Sequence, residues 1–120
     1  MAQLDEIEAR ILAIMGYRFD RIRETNYPVY RNGYEQVPMG WLYTPEGAHE
    51  AKEYFARHRN LVVLSYTLQN GRGYAEAYCY NSSSDEAPVP LAVAFDEDDE
   101  PTAVIFAINK ALDVLERTPR

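Results

Sequence analysis

Two short runs of alternating residues, Leu61–Leu68 and Tyr74–Tyr80, flank the tetrapeptide Asn70-Gly71-Arg72-Gly73. Side chains alternate between faces along a strand, and asparagine and glycine tolerate the positive φ of a tight hairpin. The pattern predicts two paired antiparallel strands. In the first, Leu61–Gln69, one face carries Val62, Leu64, Tyr66 and Leu68, and the other carries Leu61, Val63, Ser65 and Thr67. Both faces begin apolar, which predicts an interior strand covered on both sides at that end. The returning strand, Tyr74–Asn81, sets Tyr74, Glu76, Tyr78 and Tyr80 against Ala75, Ala77 and Cys79. A third strand is expected over Val89–Phe95, with Leu91, Val93 and Phe95 opposite Ala92 and Ala94.

Helical periodicity surrounds these strands. Leu4, Ile7, Ile11 and Ile14 predict a helix over Leu4–Met15, stopped by Gly16. Thr44-Pro45-Glu46 is a helix start: a hydroxyl to cap, a proline for the first turn and an acid for the positive end. That helix buries Ala48, Ala51, Tyr54 and Phe55 and ends near His58–Asn60. Val104, Ala107, Ile108, Ala111, Leu112 and Leu115 predict a closing helix over Thr102–Glu116. The expected fold is one α+β domain over residues 1–120: a small, mainly antiparallel sheet of three to four strands with helices against it, α-β-α sandwich-like.

The stretch from Tyr17 to Tyr43 shows no sustained period and holds Pro28, Gly33, Pro38 and Gly40. A structureless loop of that length is improbable in a compact domain. Tyr27–Arg31 and Trp41–Tyr43 are candidate short strands or edge pieces. The stretch is expected to lie across the core, pinned by its aromatic rings.

Charge excludes several functions. With 12 Lys and Arg against 19 Asp and Glu, the net charge is -7, which opposes DNA or RNA as a partner. A single cysteine, Cys79, forbids an intrachain disulfide and fits a reducing compartment. No apolar run reaches a membrane span, and the acidic N-terminus is unlike a signal peptide. A cytoplasmic location is therefore expected.

The chain offers no catalytic set and no cofactor motif. Asp96-Glu97-Asp98-Asp99-Glu100 would suit a hard cation, but it lacks the calcium-loop pattern and immediately precedes a helix. Helix capping is the expected role, with no metal. His49 and His58 lie nine residues apart, which does not place two imidazoles on one helix face. Cys79 is expected on the small-residue face, packed under a helix. Ser82-Ser83-Ser84-Asp85 is expected as a turn, without the glycines of a nucleophile elbow. Asn70–Gly73 lies between strands and is no phosphate cradle.

The remaining candidates are aromatic and cationic: Tyr30, Arg31, Tyr34, Trp41, Tyr43 and Arg72. Flat rings and guanidinium groups stack on planar ligands and anchor interfaces. Ten tyrosines exceed what one core can satisfy, since each phenol needs a polar partner. These six residues are the expected ligand- or partner-binding set.

As a whole, the chain resembles the phage ABA sandwich family, small phage and prophage proteins with a sheet between helical layers. The opening helix Leu4-Asp5-Glu6-Ile7-Glu8-Ala9-Arg10-Ile11-Leu12-Ala13-Ile14-Met15-Gly16, followed by Tyr17, is similar to the family's first helix. Trp41-Leu42-Tyr43-Thr44-Pro45-Glu46, followed by Ala48, Ala51 and Phe55, resembles its second. The strand pair around the glycine turn is similar too, as is Glu100-Pro101-Thr102-Ala103-Val104-Ile105-Phe106-Ala107-Ile108 to its closing helix. The resemblance implies a viral accessory protein working by binding in the host bacterial cytoplasm, for instance in counter-defence, by blocking a host protein or sequestering a signalling nucleotide.

The expected function is therefore non-enzymatic binding. A host protein fits a charge of -7 better than an anionic nucleotide does. A nucleotide would need a basic pocket built from Arg21, Arg23, Arg31 and Arg72. Two alternatives remain: a structural or virion-associated oligomer, such as a homodimer through the apolar closing helix, and a small metal-assisted hydrolase at Asp96–Glu100.

Overall fold

In the computed structural model, residues 5–79 and 89–117 are described. The Ser82–Asp85 turn lies outside them. The chain is α+β, and its described residues form three helices and two three-stranded antiparallel sheets. Helix α1 (Glu6–Ile14) leads into a first sheet of β1 (Arg18–Arg21), β2 (Pro28–Asn32) and β3 (Glu35–Pro38). A single 3-10 turn, Trp41–Tyr43, precedes helix α2 (Pro45–His58). The second sheet holds β4 (Leu61–Thr67), β5 (Gly73–Cys79) and β6 (Ala92–Glu97), and helix α3 (Glu100–Arg117) closes the chain. Among the described residues, no helix is long and apolar enough to cross a membrane.

The helix signals work as expected. Gly16 takes φ +96°, and the Tyr17 N–H reaches back to the Leu12 carbonyl. Thr44 caps α2, its Oγ1 accepting from the Gly47 N–H at 3.1 Å. The acidic run caps α3: Asp99 Oδ1 accepts from the Thr102 N–H at 2.8 Å. Asp5 caps α1 in the same way, accepting from Glu8 N–H.

The second sheet has its helices on one side. Leu61, Val63, Ala75, Ala77 and Ala94 are buried and face α3, which contributes Ala103, Val104, Ile105, Ala107, Ile108, Ala111 and Leu112. Alanine on both partners lets helix and sheet approach closely. The apolar face of α3 is thus enclosed in the core from Ala103 to Leu112, so the alanines expected to serve a homodimer pack inside this chain, and Leu115 beyond them is 41% exposed. β4 is an edge strand, in the order β4-β5-β6, and only one of its faces is covered. The expectation of an interior strand fails because Leu64 and Tyr66 point away from the helices. Cys79 is exposed rather than packed under a helix. It ends β5, and β6 pairs with β5 only from Gly73 to Ala77.

The stretch from Tyr17 to Tyr43 is a sheet of its own, not a strap over the core. β1 and β3 each pair with β2, and Asn32 opposes Glu35 across a two-residue turn at Gly33-Tyr34, with Gly33 at φ +60°. Six strands in two sheets replace the single sheet of three to four. Trp41–Tyr43, a candidate strand, is helical because Glu8 holds the backbone there. Glu8 Oε1 accepts from the Gly40 N–H at 2.8 Å, and Oε2 accepts from the Leu42 N–H at 3.1 Å.

Tyr30 occupies the middle of β2 and is 2% exposed. Its phenol has no hydrogen-bond partner among the described residues. Burial is the main cause that pushes its pKa up, with Glu8 and Asp5 adding to it. A buried hydroxyl without a partner is costly. Tyr30→Phe is therefore expected to raise unfolding free energy by about 1 kcal/mol. Urea denaturation reads this, and a loss of stability would show that the hydroxyl is satisfied.

Candidate functional site

Among the described residues, no element covers the other face of the second sheet. Alternation along three strands brings Val62, Leu64 and Tyr66 from β4, Tyr74, Glu76 and Tyr78 from β5, and Val93 and Phe95 from β6 onto one side. Leu64 is 57% exposed, Tyr66 53%, Phe95 65% and Val93 37%. Single exposed apolar residues are ordinary, but a contiguous patch marks an interaction surface. Aromatics face outward here because the alanine side is the only one that admits a helix at close range.

The rings on this face are ordered against one another. Tyr66 and Tyr74, paired across the strands, stack with centroids 4.8 Å apart. Phe95 meets Tyr74 edge-on at 6.0 Å. In the centre, Glu76 lies opposite Leu64 on one side and Val93 on the other. The Tyr74 hydroxyl donates to Glu76 Oε1 and the Tyr78 hydroxyl to Oε2. These bonds hold the carboxyl below its ordinary value of 4.5 and push Tyr74 up to about 12.

Glu8 and Glu76 shift in opposite directions, and the sign of each follows from its surroundings. Burial raises Glu8 above 4.5 despite its two backbone donors. The cost of burying its charge therefore enters as pH rises from 4.5 through the folded value. Glu76, held low, contributes stability that is present above 4.5 and lost as pH falls through its folded value. Carboxyl-carbon NMR titration is expected to give midpoints on opposite sides of 4.5. Two midpoints on the same side would contradict the structure.

The six residues expected to bind do not form one site. Tyr30 is in the core. Arg31 pairs with Asp20 across the first sheet, Nε to Oδ2 at 2.9 Å. Tyr34 stands fully exposed at the β2–β3 turn. Tyr43 is half-buried: its hydroxyl donates to Asp5 at 2.9 Å and its ring meets Phe106 edge-on. Arg72 sits at the other hairpin, with Nε 2.6 Å from Asp96 Oδ1 and a further contact to Asp98. Of the six, only Trp41 lines one of the three clefts described, a cleft of about 600 Å³ with Tyr17, Glu35, Glu46 and Glu50. Three carboxylates there repel phosphate. None of the three clefts described is lined by Arg21, Arg23, Arg31 or Arg72.

A smaller cleft of about 190 Å³ was not anticipated. It gathers His49, Lys52, Ser65 and Glu100 at the junction of α2, β4 and α3. Lys52 Nζ donates to Ser65 Oγ at 3.0 Å, and Ser65 donates to Glu100 Oε1 at 2.9 Å. The chain of donors ends on a carboxylate and ties three elements together. Among the described residues, no group of three or more His, Cys, Asp or Glu side chains is placed to hold a metal ion.

The outer-face set was within reach of the sequence, since each strand's alternation was visible. The small-residue face of β5 was expected under a helix, and Ala75 and Ala77 are buried there; for β4, alternation alone left the choice of face open. No protein-family model, curated protein or solved structure matches the chain.

Proposed function

We propose that this protein is a non-enzymatic binding module that docks another protein on the outer face of its second sheet. The supporting observation is the contiguous exposed patch formed by Leu64, Tyr66, Val93 and Phe95 around ordered tyrosines. Aromatic rings are the residues that carry most interface energy. A nucleotide ligand is disfavoured by the charge of -7 and by the pairing of Arg31 and Arg72 with their own acids. The resemblance to phage ABA sandwich proteins makes the partner a host bacterial protein and the role counter-defence; that part of the proposal rests on the resemblance alone.

Leu64→Ser and Phe95→Ser are expected to cost about 1 kcal/mol or less each, because both side chains are more than half exposed. Together they are expected to abolish binding. Photo-cross-linking from position 95 in living cells is expected to give a discrete adduct that disappears on Leu64→Ser, while position 34 gives none. Equal labelling from both positions would contradict the proposal.

A hydrolytic reading has one observation behind it, the Lys52–Ser65–Glu100 cleft. In that cleft the Ser65 proton points to Glu100 and Lys52 acts as a donor, the reverse of a lysine base activating serine. Ser65→Ala is expected to leave partner binding unchanged.

A further inference from the structure

We propose that the docked segment presents a cationic side chain, an arginine or lysine set among apolar residues, to Glu76 at the centre of the outer face. This rests on the docking face proposed above and specifies the partner's chemistry. Glu76 is ringed by apolar and aromatic groups, with Leu64 and Val93 directly opposite it across the strands. Its two oxygens are held by phenols, which are neutral donors, so the carboxylate keeps its full charge and a fixed orientation. Among the described residues, no Lys or Arg pairs with it. Arg72, the nearest cation in the hairpin, is tied to Asp96 and Asp98.

A purely apolar partner would strip water from this carboxylate and give nothing back, leaving its charge uncompensated. A second copy of the chain fares worse. A two-fold contact between the same faces would set Glu76 against its own equivalent, on molecules that each carry -7. A cation meets both demands: it pairs with the carboxylate and lies over the stacked Tyr66 and Tyr74 rings. Guanidinium, flat and weakly hydrated, stacks on an aromatic face better than ammonium.

The test is selection of a random peptide display library on three baits: the wild-type chain, Glu76→Gln, and Leu64→Ser/Phe95→Ser. The wild type is expected to enrich apolar peptides with a central Arg or Lys. Glu76→Gln is expected to keep the apolar preference and lose the basic residue. For a peptide selected on the wild type, replacing its arginine by neutral citrulline is expected to weaken binding about tenfold or more. That comparison leaves the protein unaltered, so it stands even where Glu76→Gln disturbs the tyrosines. Apolar enrichment without a basic residue, or equal affinity for the citrulline peptide, would overturn the cation and leave the docking face standing. Equal enrichment on the wild type and on Leu64→Ser/Phe95→Ser would overturn both.

Discussion

Gly73→Ala is expected to lower unfolding free energy by about 3 kcal/mol, a large fraction of what a domain of this size possesses. Gly73 opens β5 beneath the start of α3. A Cβ there would lie 2.0 Å from the Asp99 carbonyl oxygen, 2.3 Å from its carbon and 2.7 Å from the Glu100 nitrogen. All three are backbone atoms of the α3 N-terminus, so no side chain can swing aside. Relief requires moving the helix that supplies Val104, Ile105 and Ile108 to the core. Gly71, two residues earlier, is the control. It needs glycine for its φ of +85°, yet nothing lies near its would-be Cβ. Gly71→Ala is expected to cost only about 1 kcal/mol. Urea midpoints read both, and equal losses would contradict the packing described.

Glu8→Ala is expected to cost about 3 kcal/mol. Glu8 is almost wholly buried on α1, and its two oxygens take the Gly40 and Leu42 N–H groups. Truncation leaves both donors without a partner and opens a void beside Leu42. The Trp41–Tyr43 turn then loses its anchor to the first helix. Glu8→Gln keeps one acceptor oxygen but faces the other N–H with an amide NH2, so an intermediate loss of about 1–2 kcal/mol is expected. Hydrogen exchange at Gly40 and Leu42 amides gives an independent reading. Unchanged protection in Glu8→Ala would show that the carboxylate is not their partner.

The parts of the fold that were legible in sequence are those with long, unbroken periods. The β4–β5 hairpin showed through its alternation and its asparagine–glycine turn, and α3 through Val104, Ala107, Ile108, Ala111 and Leu112 at helical spacing, all buried, although Leu115 of the same pattern is exposed. Thr44 and Asp99 announced their caps by residue type and position. In the first sheet Tyr27–Arg31 anticipated β2, but β1 and β3 were missed because strands of four residues are too short for alternation to stand out. Asn32-Gly33 was the available clue, since that dipeptide is a strong hairpin signal. Trp41–Tyr43 was unreadable locally, because its conformation is set by a glutamate some thirty residues earlier in the chain.

The six residues expected to bind are dispersed for a related reason. Tyr30, Arg31, Tyr34, Trp41 and Tyr43 are close in sequence, but strand pairing and the 3-10 turn send them to the core, to the first sheet and to its edge. The outer-face residues are far apart in sequence and meet only through the register of β4, β5 and β6. Alternation listed each strand's two faces correctly. For β5 the small residues already marked the inner face; joining the outward faces of three strands into one patch required their register. Ala75, Ala77 and Ala94 accept α3, whereas Tyr74 and Tyr78 would hold it off.

The most direct test of the docking face is an amide NMR map of the isotope-labelled chain titrated with a peptide selected on it. Perturbations are expected to centre on Leu64, Tyr66, Tyr74, Glu76, Tyr78, Val93 and Phe95. Shifts centred instead on the Tyr17–Trp41 cleft or on Lys52, Ser65 and Glu100 would contradict it.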